Sequence, residues 1–169
     1  KHTCIKAEIG GVKLFLVHLS PDSEDARLRE VEVLLGHIGD KQEKVVVMGD
    51  MNSLSPQDRQ FYEEDNLWEK CVAAEVTKFG KKGLRFEVIQ RMLNFGLVDL
   101  GGVVEDRALA YTTPTPVNID KHHHLSRLRL DYVFVSPDLV PKVKAVTVVR
   151  DNLTNRMSDH FPVMVSLNI

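Results

Sequence analysis

Cysteine is nearly absent from this chain: Cys4 and Cys71 are the only two, and no C-x-x-C spacing joins them to a metal-ligand set. That excludes a disulfide-rich scaffold and a zinc ribbon, and leaves two free thiols in a reducing, intracellular setting as the expectation. Charge of one sign is lacking too. Lys and Arg number 22 against 24 Asp and Glu, for a formal net charge of -2. Composition therefore offers no support for a general nucleic-acid binder, although a local patch could still serve. No apolar run approaches the roughly 20 residues that span a bilayer, and no signal peptide is visible. The chain opens on Lys1-His2-Thr3 rather than on Met, so we expect the native N-terminus to lie upstream.

What is present is ordinary for one globular domain over residues 1–169, with 43% apolar residues. Thr3 to Ile9 and Val12 to Leu19 flank Gly10-Gly11 and read as a β-hairpin. Ser20-Pro21-Asp22-Ser23 breaks the second strand and offers helix N-caps. Ala26, Leu28, Val31, Leu34, Leu35 and Ile38 then recur at helical spacing, up to Gly36–Gly39. Lys44 to Met48 reads as a strand buried on both faces, ending in a turn at Gly49-Asp50-Met51-Asn52. Residues 55–83 are mixed and charged, suiting short helices. Phe86 to Phe95 is helical in pattern with Gly96 as C-cap. Further strands are expected over Ala110 to Thr113, Leu128 to Val135, Lys142 to Arg150 and Pro162 to Ile169, with a short buried segment at Leu97 to Leu100. Strands with intervening helices and hairpin-like connections imply a layered α/β sandwich.

Four strand ends carry polar residues that packing does not require: Val17-His18-Leu19, Gly49-Asp50-Met51-Asn52, Arg129-Leu130-Asp131-Tyr132 and Ser158-Asp159-His160-Phe161-Pro162. Asp50 and Asn52, two apart, point the same way in an extended turn; an Asx-turn is the structural alternative. Asp159 offers an oxygen ligand to a hard cation, and His160 beside it handles protons near neutrality. Asp131, inside an apolar strand, needs a partner, for which His18 or His160 is available. Arg129, two residues earlier, would share its face.

Together and in this order, these segments resemble the endonuclease/exonuclease/phosphatase superfamily, whose members include exonuclease III-type endonucleases and pancreatic-type deoxyribonucleases. Val17 to Leu19, Val47 to Asn52, Arg129 to Ser136 and Ser158 to Val163 match in the family's order, the last two most closely. The resemblance implies a four-layer, deoxyribonuclease-like α/β sandwich, of which this chain is the C-terminal portion. It implies a phosphoesterase dependent on Mg2+ or Mn2+, acting on a phosphate ester such as DNA or RNA. Asp50 would activate water and, with Asp159, hold the metal. Asn52, Arg129 and His160 would contact the phosphate, Asp131 would support a histidine, and His18 would stand near the leaving group. The family's N-terminal half supplies an asparagine and a glutamate that this chain does not contain. That missing half is thus an expected partner, and the fragment alone could be inactive. Phosphatase or lipid-headgroup phosphodiesterase activity, or a non-catalytic partner-binding role, are the alternatives.

The remaining polar features have plainer readings. His122-His123-His124 cannot all face one ion from adjacent positions, so a solvated loop is expected, with Lys121, Arg127 and Arg129 near substrate phosphate. Lys78, Lys81, Lys82 and Arg85 read as a solvated face or, at most, a nucleic-acid contact. Tyr62 and Trp68 are expected in the core.

Overall fold

The computed structural model describes residues 3–39, 43–103, 110–119 and 126–168. A hairpin opens it, β1 (Thr3–Ile9) against β2 (Val12–His18), antiparallel across Gly10-Gly11. Both turn glycines have positive φ, a region open to residues without a Cβ. Helix α1 (Glu24–Ile38) begins where the Ser23 side chain accepts the Ala26 N–H at 3.2 Å. Strand β3 (Val45–Asp50) returns parallel to β2. Short helices α2 (Arg59–Glu64) and α3 (Leu67–Ala73) follow, then α4 (Glu87–Phe95), which Gly96 ends in the left-handed region. β4 (Val98–Asp99) and β5 (Asp131–Val135) complete a five-stranded sheet of order β1-β2-β3-β5-β4. Beyond it, β6 (Val143–Val148) and β7 (Val163–Leu167) pair as a second, two-stranded sheet, with α5 (Thr154–Met157) between them.

The alternation along each strand sorts side chains into two cores. Phe15, Val17, Val45, Val47, Tyr132 and Phe134 face α1 and α4, where Val31, Leu34, Ile38, Ile89 and Met92 meet them. Val46, Val133 and Val135 face the other way, toward Val146, Val163 and Val165 of the small sheet. Fully burying side chains of this size contributes roughly 1.5–3 kcal/mol each. Helices, large sheet and small sheet thus stack in order, as an α/β sandwich of the deoxyribonuclease-like type. The β1–β2 side of the second face is less covered: Ile5 and Leu16 are exposed there.

Several expected boundaries shift. The strand expected to end at Met48 runs on through Asp50, because Asp50 still pairs with its neighbours on both sides. The strand expected from Leu128 begins only at Asp131; before it, a single bridge joins Thr113 to Leu128. The expected strand at Ala110 to Thr113 is reduced to that bridge. Cys4 and Cys71 are both free. Among the described residues no helix is long and apolar enough to cross a membrane. Tyr62 is buried and Trp68 half-buried. His122, His123, His124 and Lys121 lie outside the described residues.

Candidate active site

Three adjacent strands bring three of the polar strand ends into one row. β2 and β3 pair with His18 opposite Asp50, and β3 and β5 pair with Asp50 opposite Asp131. Neighbouring strands lie about 4.8 Å apart, so the register alone sets these side chains side by side. The preceding row on the same face is apolar, Leu16 beside Met48 beside Val133. These residues, with His18, Asp131 and His160, line an open cavity of about 560 Å³. The β2–β3 approach at this end requires Gly49. Its φ is +134°, and a Cβ there would fall 1.9 Å from the Val17 carbonyl oxygen.

The fourth segment reaches the row from the loop before β7. His160 Nδ1 lies 2.7 Å from Asp131 Oδ2, so of the two candidate partners for Asp131 the structure chooses His160. A threonine rail fixes this loop to β5. Thr112 Oγ1 accepts the Leu130 and Asp131 N–H groups at 3.1 and 3.2 Å, and its carbonyl accepts the Phe161 N–H at 2.7 Å. Thr113 and Thr115 hydroxyls donate to the carbonyls of Asp159 and Ser158 at 3.0 and 2.6 Å. The sequence hinted at this rail only through its run of threonines around two prolines.

His18 is largely exposed and holds Nε2 3.6 Å from Asp50 Oδ2. Asn52 adopts φ +49°, tolerated by asparagine more readily than by most residues. Its backbone N–H donates to Asp50 Oδ1 at 2.7 Å. Its side-chain amide donates to the Leu19 carbonyl at 3.0 Å and to Asp50 Oδ2 at 3.1 Å. Both neighbours are acceptors only, so the amide orientation is fixed and both its hydrogens are used. In this arrangement the amide that the sequence assigns to a phosphate orients Asp50.

Arg129 needs a correction. It does not share the outward face of Asp131 and is not placed to hold substrate. Its guanidinium is 4% exposed, donating to Asp58 Oδ2 at 2.8 Å and to Asp99 Oδ1 and Oδ2 at 2.9 and 2.7 Å. The Tyr132 ring lies 4.4 Å below it. Regular alternation starts only at Asp131, so the two-residue spacing carries no facing rule back to Arg129.

The electrostatics follow from this crowding. Burial, and next the like charge of Asp131, push the Asp50 carboxyl above its ordinary range, while His160, the Asn52 N–H and His18 act against them. Burial alone would lower His160. The Asp131 hydrogen bond and the charges of Asp131, Asp50 and Asp159 outweigh it and raise His160 above its ordinary value. Ligand atoms of Asp50, Asp131 and His160 all lie within 4.8 Å of one another. Two carboxylates that repel each other beside an imidazole fit a divalent cation. Asp159, expected as a metal ligand, is exposed on the loop and is not one of those three.

A buried network behind the row went unread in the sequence. Arg27, fully buried, donates Nε to Ser53 Oγ at 2.7 Å, Nη1 to the Ser20 carbonyl at 3.0 Å, and Nη2 to Glu24 at 2.9 Å and to the Lys78 carbonyl at 2.5 Å. The Tyr132 hydroxyl faces the carbonyls of Ser53 and Arg129 at 2.8 and 2.9 Å. One signal was available: Arg27 sits four residues before Val31, on the apolar face of α1.

Solved structures share the architecture. A 3' phosphatase from Neisseria bound to product DNA hairpin superposes with a TM-score of 0.68 at 21% identity, covering 98% of this chain and 65% of that one. An AP endonuclease from Archaeoglobus fulgidus gives 0.66 at 18% identity, over 98% of this chain and 65% of that one. The endonuclease domain of TRAS1, a telomere-specific non-LTR retrotransposon, gives 0.59 at 16% identity, over 99% of this chain and 64% of that one. At such identities the likeness is one of fold. The chain spans about 65% of the length of the first two. No curated protein sequence matches it. The Endonuclease/Exonuclease/phosphatase family model does match, over residues 2–160, and the chain belongs to that family.

Proposed function

We propose that this protein hydrolyses phosphodiesters, nucleic acid among them, as a divalent-metal-dependent phosphoesterase. The observation that supports it most is the in-register row of His18, Asp50 and Asp131, with His160 bonded to Asp131. Asp50, held at both oxygens by Asn52, orients the attacking water and accepts its proton. The water oxygen bonds to phosphorus, and the bond from phosphorus to the leaving oxygen breaks. His160, kept protonated above its ordinary range by its carboxylate neighbours, donates from its free ring nitrogen toward the charge developing on the phosphate. Asp131 sets the orientation of that ring. His18, exposed beside Asp50, is the proposed proton donor to the leaving oxygen.

Asp50 and Asp131, with Asp159 from the adjoining loop, would hold Mg2+ or Mn2+, which supplies charge neutralisation at the phosphate. The relatives described as a DNA-bound 3' phosphatase and an AP endonuclease favour nucleic acid as the ester class. The test is hydrolysis of bis-p-nitrophenyl phosphate by the full-length protein with Mg2+. Activity is expected, falling by about 100-fold or more in Asp50→Ala and in His160→Ala. Equal rates in the wild type and both variants would remove the reading.

A further inference from the structure

Of the side chains in the row, only the two histidines can donate to a phosphate. Asn52 has spent both amide hydrogens on Leu19 and Asp50, and Arg129 is enclosed between Asp58 and Asp99. A side-chain cation beside the row would add to what His160 and a metal supply at the non-bridging oxygens.

Lys78 is the candidate. Its carbonyl accepts Arg27 Nη2 at 2.5 Å, while Nε of the same guanidinium reaches Ser53 Oγ at 2.7 Å. One planar, fully buried side chain thus ties the Lys78 backbone to the turn that carries Asp50 and Asn52. The ammonium lies 4.7 Å over the Phe79 ring, and the side chain is half-buried. Among the described residues, no carboxylate is within ion-pair distance of it. Burial lowers its affinity for a proton, and Asp50 leads the charges that oppose this, with Asp159 also contributing. The other cations of the cluster are otherwise engaged. Lys81 and Lys82 are exposed, and Arg85 pairs with Asp25 and Glu87 at 2.7 and 3.1 Å.

We propose that Lys78 is the phosphate anchor of this site, its ammonium taking a non-bridging oxygen of a phosphate ester seated against Asp50 and His160. The proposal rests on the phosphoesterase reading for the identity of the ester. Among the described residues no carboxylate pairs with the ammonium, which leaves it available to an anion, and the Arg27 tie holds its backbone beside the turn after Asp50. Ordering by Arg27 lowers the entropy lost when the lysine engages its ligand.

The experiment follows inorganic phosphate binding to the metal-free full-length protein by NMR, at the amides of Ser53 and Lys78 and the ring of His160. Saturable shifts are expected. Lys78→Met, which keeps the aliphatic stem over Phe79, should weaken phosphate binding about ten-fold, and Lys78→Arg should stay within about three-fold of wild type. Thermal unfolding identifies any variant that has lost its fold; if Lys78→Met has, Lys78→Gln replaces it. In turnover of bis-p-nitrophenyl phosphate, Lys78→Met should raise KM far more than it lowers kcat, the reverse of Asp50→Ala. Absence of phosphate shifts in the wild type, or unchanged affinity in a folded Lys78→Met, overturns the anchor. Phosphate binding through Lys78 without hydrolysis of any phosphoester upholds the anchor and counts against the phosphoesterase reading alone.

Discussion

Arg129 and Asp131 are two residues apart, yet they belong to ionic clusters built on opposite terms. Around Arg129, one cation sits between two carboxylates, Asp58 and Asp99, and all three side chains are under 10% exposed. Both carboxylates are paired with the one guanidinium. Around Asp131, two carboxylates share a row with two histidines, and the side chains range from 17% to 64% exposed. There Asp50 is repelled by Asp131, and its ionised form is disfavoured by burial. The first cluster locks the base of β5 to β4 and the Pro56–Asp58 turn. The second keeps its ionisable groups at a surface, where a ligand can reach them. Enclosed ion pairs mark the scaffold, and ionisable groups left open to solvent mark the site.

That contrast breaks most visibly at Arg129. Arg129→Met leaves two buried carboxylates without a cation, and should cost about 3–5 kcal/mol of unfolding free energy in urea titration. The opposite sign is expected at Asp50. In metal-free protein, Asp50→Asn removes a disfavoured charge and should raise stability by roughly 1 kcal/mol, the scale of gain seen when a strained active site is relieved, while hydrolysis is lost. A fall in stability would mean that His160, His18 and the Asn52 N–H outweigh burial at Asp50.

The histidine pair sharpens the comparison through pH. His160 is raised above its ordinary 6.5 in the folded protein. Its contribution to stability is therefore complete below pH 6.5 and disappears as pH rises through the folded-state midpoint. NMR titration of the ring should show that midpoint above 6.5, moving down in Asp131→Asn, which removes its charged partner. Smallest of all is His18→Ala. The side chain is 64% exposed, so stability should change by less than about 0.5 kcal/mol, whatever happens to turnover.

Much of the large sheet was legible, because alternation and turn chemistry are local. The first hairpin, α1 and α4 sit within a residue or two of where apolar spacing put them. The four polar strand ends were legible as a set, and the structure brings His18, Asp50, Asn52, Asp131 and His160 together. Their arrangement was not, because register depends on pairing between strands distant in sequence. Arg129 and Asn52 show the limit most clearly. The direction of Arg129 depends on where regular pairing starts, and the availability of the Asn52 amide depends on a carbonyl 33 residues away. The Arg27 network was hidden for the same reason, since its partners Ser53 and Lys78 come from other segments.

Gly49 gives the row an unusual metrology. The gap between His18 and Asp50 is set by an atom that is not there, since any Cβ would collide with the Val17 carbonyl and wedge the two strands apart. A chain with alanine at this position would retain each ionisable group of the site and still hold them at the wrong spacing. A tally of acids and bases would pass such a chain as intact; a ruler laid across β2 and β3 would not.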